Sequence, residues 1–188
     1  MSNEYKDWER DKIEEEKEIV EKYPFLRARN VDGTIDTSSH FPMMGLEIPN
    51  GWYQLFFQMC DDLKLVLEKE GMLNDFYFVQ VKEKFNELRC YSGHWETYEI
   101  QDILRKYEYL SRFVCTVCGL PAEYETQGYI ASYCGKCLGK IKTKDRVAPI
   151  KFVDTFETVR YSKDGNITTI HDISEEWERY EESLWVEE

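Results

Sequence analysis

No apolar run in this chain approaches the roughly 20 residues that a membrane-spanning helix needs, so a helical anchor in a bilayer is not expected. The opening residues, Met-Ser-Asn-Glu-Tyr-Lys, lack the apolar stretch of a signal peptide, and the expectation is a soluble protein of the cytoplasm. Histidine is scarce, with three in 188 residues, and no His-Glu zinc motif is present. Nor is there a glycine-rich phosphate loop, a Ser-His-Asp grouping or a pair of carboxylates in a setting suited to acid–base work. Catalysis therefore ranks below recognition. Positive charge is also short: 24 Lys and Arg face 37 Asp and Glu, a formal net charge of −13. A field of that sign opposes general binding to nucleic acid and to anionic membranes and favours a basic partner, although a local basic patch still acts within a Debye length of about 8 Å. The acidity could equally serve solubility alone.

What the chain does have is cysteine in a telling arrangement. Cys115-Thr-Val-Cys118-Gly119 and Tyr133-Cys134-Gly135-Lys136-Cys137 place two Cys-x-x-Cys pairs about fifteen residues apart. Four thiolates at tetrahedral corners, roughly 2.3 Å from a metal, are what Zn²⁺ takes in a structural site. Gly119 and Gly135, free to take positive φ, would let backbone amides turn toward the sulfurs. Tyr124, Tyr129, Ile130 and Tyr133 alternate about a break at Gly128, which predicts a hairpin returning the second knuckle to the first, a zinc ribbon. A disulfide pair and a redox Cys-x-x-Cys are the competing readings; the double-pair spacing and the missing signal favour metal-bound thiols in a reducing compartment. The candidate ligands are Cys115, Cys118, Cys134 and Cys137, and four of them leave no open coordination place, so the zinc is expected to be structural. Metallation would carry the formal charge from −13 to about −15.

At 42% hydrophobic and 15% aromatic, the chain fits one small α+β domain of amphipathic helices and β-hairpins with small appendages. The expected parts are a charged N-terminal helix over 1–23, an α+β core over 24–114, the zinc ribbon over 115–147, and a C-terminal hairpin and acidic helix over 148–188 packed on the core. The first helix has few apolar residues, Trp8, Ile13, Ile19 and Val20, and Pro24 marks its end. A short hairpin is expected around Gly33, and His40, Met43 and Met44 read as a loop over the core. Trp52, Leu55, Phe56, Met59, Leu63 and Val66 recur at helical steps, with Gly71 suited to the position after the helix and Cys60 a small buried hydrophobe. Phe76, Phe78 and Val81 predict a strand, Asn86-Glu87 a turn and Leu88 to Tyr91 the return. A second helix over 96–113 buries Ile100, Ile103, Leu104, Tyr107 and Leu110 and runs directly into the first knuckle. In the tail, Asp164-Gly165 predicts a hairpin between 159–162 and 166–170. Asp172 with Glu175 predicts a capping box before a helix whose Trp177, Tyr180, Leu184 and Trp185 clamp it to the core.

Gly51-Trp52 heading a helix, Val81-Lys82-Glu83-Lys84-Phe85, Leu88-Arg89 and Tyr91, then Cys115-x-x-Cys118-Gly119 beyond a helix, together resemble an uncharacterised family of small proteins from bacteriophages and bacteria. The resemblance covers approximately Pro24 to Cys137. It implies helix, hairpin, helix and zinc knuckle in one domain and a phage or mobile-element origin; it supplies no catalytic residue.

Three functions follow from these features. The first is a zinc-stabilised, phage-encoded interaction module that binds a host protein through an acidic surface and inhibits or redirects it, with the two terminal helices as recognition surfaces. The second is a nucleic-acid-binding accessory protein, since Lys136, Lys140, Lys142, Lys144 and Arg146 form the one basic stretch and Tyr129 and Tyr133 lie near it. Those lysines could instead neutralise a Zn(Cys)₄ centre of charge about −2. The third is an enzyme whose site forms only in three dimensions around His40, His94 or Cys90.

Overall fold

Leucine, phenylalanine and methionine at three- and four-residue steps dictate the central helix, α1, over Tyr53–Lys69. The computed structural model describes residues 17–30, 32–36, 46–163 and 165–185. A 3₁₀ turn, Asn50–Trp52, leads into α1, whose buried face is Leu55, Phe56, Met59, Cys60, Leu63 and Leu67. Its end is a Schellman motif: Gly71 has φ +71°, its N–H donates to Glu68 O, and the Met72 N–H donates to Leu67 O. A second helix, α2 over Tyr98–Leu110, starts where the Thr97 hydroxyl accepts from the Ile100 N–H, and continues as a 3₁₀ turn, Ser111–Phe113, into the first cysteine pair.

Ahead of α1, residues 17–22 are helical and Pro24 opens a 3₁₀ turn, Pro24–Leu26, that drops Phe25 and Leu26 into the core. The expected hairpin at Gly33 is a single antiparallel bridge between Arg29 and Ile35. Trp8, Ile13, His40, Met43 and Met44 lie outside the described residues.

Strands β1 (Leu46–Glu47), β2 (Phe78–Glu83) and β3 (Leu88–Ser92) form one sheet in that order, β1 parallel to β2 and β2 antiparallel to β3. Pairing shifts between Phe78 and Gln80, so β2 carries an extra residue. That bulge is why Phe78 and Val81, an odd number of residues apart, are both buried. The turn falls one residue earlier than the sequence indicates. Phe85 and Asn86, at φ +57° and +63°, are its central residues, and Lys84 and Glu87 exchange both backbone hydrogen bonds.

The cysteine-bearing segment is a three-stranded sheet ordered β5-β4-β6, with β4 at Tyr124–Thr126, β5 at Ser132–Tyr133 and β6 at Val147–Pro149, followed after β5 by one helical turn, α3 (Gly135–Leu138). β6 adds a strand that the sequence pattern does not announce. Beyond it, β7 (Thr155–Ser162) and β8 (Gly165–Asp172) make a hairpin longer than expected, paired in full register from Thr155↔Asp172 to Ser162↔Gly165. The last helix, α4 (Ser174–Ser183), buries Trp177 and Tyr180, and Leu184 is partly buried against the core. Two expectations change here. Asp172 accepts from the Ser174 N–H (2.9 Å) one position outside the N-cap, Ile173, so the capping box is replaced by an Asx turn. Trp185 is 75% exposed and takes no part in the described core.

One apolar core joins these parts, drawing Trp52 and the α1 face together with Phe76, Phe78, Leu88, Ile100, Tyr107, Leu110 and Tyr180. Each such fully buried Leu or Phe contributes about 1.5–3 kcal/mol. At its edge Asp62 of α1 ties the three helices: Arg179 of α4 grips it with two hydrogen bonds (2.7 and 2.6 Å) and the Tyr107 hydroxyl of α2 donates to it at 2.6 Å. The architecture is α+β, and no helix among the described residues is long and apolar enough to cross a membrane.

Candidate metal centre

The first knuckle forms because α2 delivers Val114 to a bridge with Pro121, after which the chain must reverse within a few residues. Cys115 N–H donates to Leu120 O (2.8 Å) and Gly119 N–H to Cys115 O (3.0 Å), with Gly119 at φ +77° where a side chain would be strained. The second knuckle sits at the end of β5. Gly135 does not take positive φ; it begins α3, and its N–H donates to the Glu123 carboxylate at 3.0 Å.

These two turns bring Cys115, Cys118, Cys134 and Cys137 together with all four Sγ atoms within 4.8 Å of one another. The Cys118–Cys134 sulfur separation is 3.7 Å, against about 2.05 Å for a disulfide. A tetrahedron with 2.3 Å metal–sulfur bonds has edges of about 3.8 Å, so the cluster is spaced for one metal ion and none of the six cysteines is paired. Cys115, Cys134 and Cys137 are buried, with Leu120 and Tyr133 packed on them, and Cys118 faces solvent.

The thiols also differ in how readily they ionise. Burial, then the neighbouring thiols of Cys118 and Cys134, push Cys137 up to about 12. Burial opposes ionisation of Cys134 too, but the Cys137 amide N–H and the surrounding thiols outweigh it and draw its pKa below the ordinary value. Cys118 is raised by burial, although the Leu120 amide N–H works in the other direction. Cys134 thus ionises more readily than a free thiol while Cys118 and Cys137 resist, and a positive ion at the centre would favour the thiolate form of all of them.

Three contacts seat this cluster on the core, and none is marked by a sequence motif. Gly51 donates its N–H to Thr116 O (3.1 Å), and a Cβ at Gly51 would stand 2.0 Å from the Cys115 carbonyl oxygen. The Tyr180 hydroxyl of α4 donates to Gly119 O at 2.5 Å. Asn86, buried at the hairpin tip, donates to Ser132 Oγ (2.7 Å) and accepts from the Ser132 N–H (3.1 Å). Glycine before tryptophan at a helix start, and asparagine in a turn, were visible as local signals only.

Lys136, Lys140, Lys142, Lys144 and Arg146 are all exposed, and none makes an ion pair with another described residue. Lys136 and Lys140 border a groove of about 280 Å³ floored by Val117, Leu120 and Ile141 beside Cys118. Tyr129 is exposed, with its hydroxyl donating to Glu83 across the hairpin tip (3.3 Å), and Tyr133 packs on the cluster. Among the candidate active-site residues, the His94 ring meets the carbonyl and the ring of Trp95, and burial pushes the Cys90 thiol far above its ordinary value, which makes it a poor nucleophile.

No protein-family model, curated protein or solved structure matches the chain.

Proposed function

We propose that this chain is a zinc-stabilised interaction module of the cytoplasm that presents an acidic face to a basic protein. Four cysteine thiolates at tetrahedral spacing suit Zn²⁺, and a filled coordination sphere gives the ion a scaffolding role rather than a catalytic one. The observation that carries the recognition reading is the outer face of α4. Its inner residues are used, Trp177 and Tyr180 in the core, Glu176 with Lys106 (2.9 Å) and Arg179 with Asp62. Glu175, Glu178 and Glu182, at positions i, i+3 and i+7, are exposed and pair with no cation among the described residues. An acidic stripe ending beside the exposed Trp185 offers charge steering and one large apolar anchor, the combination that interfaces use.

The sequence resemblance supports a phage or mobile-element origin, and then the target is a host protein whose basic face otherwise meets nucleic acid, inhibited or redirected by occupation of that face. The test is affinity capture from bacterial lysate, comparing the native chain with a Glu175→Lys, Glu178→Lys, Glu182→Lys variant. Capture of a basic protein by the native chain, lost in the variant and at high salt, supports the reading; identical recovery with both chains overturns it.

The groove between Lys136 and Lys140 supports a second reading, contact with nucleic acid. Lys140→Glu with Lys142→Glu should then abolish a gel shift seen at low salt with DNA or RNA, and the absence of any shift with the native chain rejects it.

A further inference from the structure

His171, absent from every motif in the sequence, is a buried polar side chain with both ring nitrogens engaged. It is 2% exposed, on β8, and its ring stacks on Phe156 with centroids 4.6 Å apart; Phe156 stacks in turn on Tyr109 of α2 at 4.4 Å. Nδ1 lies 2.6 Å from the Asp102 carboxylate of α2, and Nε2 lies 2.7 Å from the Thr158 hydroxyl of β7. A carboxylate can only accept, so Nδ1 carries a proton, and in the neutral imidazole Nε2 is then the acceptor for the Thr158 O–H. Lys106 Nζ lies 3.7 Å from the other Asp102 oxygen. This is a hydroxyl, a base and an orienting carboxylate in the order that acyl-transfer enzymes use, assembled from residues 102, 158 and 171.

The hydroxyl end of the chain is open. Thr158 lines a groove of about 480 Å³, together with Arg89, Arg105 and Glu108. Arg89 is occupied by Glu87 and by Glu108 at 3.1 Å. Arg105 is not: among the described residues it pairs with no carboxylate, and its Nη1 stands 3.5 Å from Thr158 Oγ1. A guanidinium at that position faces the place where a carbonyl oxygen would gather charge as the hydroxyl attacks.

We propose that Thr158, His171 and Asp102 form a second site, one that transfers an acyl group from an ester or thioester seated in this groove onto Thr158. Oγ1 bonds to the carbonyl carbon while its proton passes to His171 Nε2, and Arg105 holds the resulting oxyanion. The bond to the alcohol or thiol leaving group then breaks, and that group takes the proton from Nε2. Water completes the cycle: it gives a proton to Nε2, attacks the acyl carbon, and Thr158 recovers its proton as the acid leaves. Neither the metal nor the acidic face of α4 takes part, so this activity stands apart from the recognition role.

The experiment uses the full metallated chain with p-nitrophenyl acetate, reading nitrophenolate release and the acetylated residue by peptide mass spectrometry. Acetyl on Thr158 is expected, lost in Thr158→Val and kept in Thr158→Ser. Asp102→Asn should slow labelling about 10²-fold or more, through the wrong tautomer, and Arg105→Gln by about 10²–10³-fold, with bound metal retained in each variant as the check on folding. Acetyl confined to lysines in the native chain, or a Thr158→Val rate equal to the native one, overturns the proposal and leaves His171 as a clamp between hairpin and helix.

Discussion

Phe85 and Asn86 show how much a single residue decides in this fold. Both sit in the left-handed region, where a side chain other than glycine costs about 1–2 kcal/mol and asparagine tolerates it best. Phe85 gains little in return, being 70% exposed with its ring near Lys84. Phe85→Asn is therefore expected to stabilise the protein by about 0.5–1 kcal/mol, read as a raised urea midpoint with unchanged slope. Asn86 is the opposite case. Asn86→Ala keeps the strained φ but leaves the buried Ser132 N–H without its acceptor and breaks the link between hairpin and ribbon. A loss of about 2–4 kcal/mol is expected in the same measurement. The sequence placed this turn one residue late because asparagine is the recognisable turn residue and phenylalanine at positive φ is not a pattern anyone would choose.

At the level of elements, the joints between secondary structures matter more than the elements themselves. Gly51 is the clearest joint: its missing side chain lets the start of α1 lie against the first knuckle, where an added Cβ would meet the backbone atoms Cys115 O, Gly119 N and Thr116 C at 2.0, 2.6 and 2.9 Å. Backbone cannot step aside as a flexible side chain can. Gly51→Ala is expected to cost 3 kcal/mol or more, above the usual range for overpacking, and to speed metal loss to a chelator. Tyr180→Phe tests the neighbouring joint more gently. It removes one buried hydrogen bond to Gly119 O, with an expected cost of about 1–2 kcal/mol and the same direction in metal release. The elements were largely legible: the α1 and α2 faces follow from their periodicity and the two knuckles from their spacing. What was not legible is non-local. β1 is two residues long, β6 follows a lysine run, the Phe78 bulge breaks the alternation, and the bonds of Asn86, Tyr180 and His171 each span a sequence distance that no local pattern encodes.

Across the whole molecule, apolar burial is divided in two: one large core of helices and sheet, and a small separate cluster of Cys115, Cys134 and Cys137 with Leu120 and Tyr133. The small one has too few apolar side chains to hold a three-stranded sheet by burial alone, and a metal ion held by its four cysteines would supply the difference; structural zinc sites in isolated finger peptides contribute on the order of 10–16 kcal/mol. Removing the ion with a chelator, or weakening its site by Cys134→Ser, is therefore expected to release residues 115–149 while α1 and α2 keep their helical signal. Amide hydrogen exchange separates the two regions. Protection should vanish at Thr116, Gly119 and Ser132, fall at Gly51, whose N–H donates into the knuckle, and persist at the α1 amides. Acid should produce the same state. Protons compete with a metal ion for thiolates, so stability that a bound ion supplies would be present at neutral pH and disappear on descending pH as protons displace it. Simultaneous loss of α1 protection with the ribbon, at either trigger, would instead make the chain one cooperative unit, with Gly51, Asn86 and Tyr180 transmitting the collapse into the core.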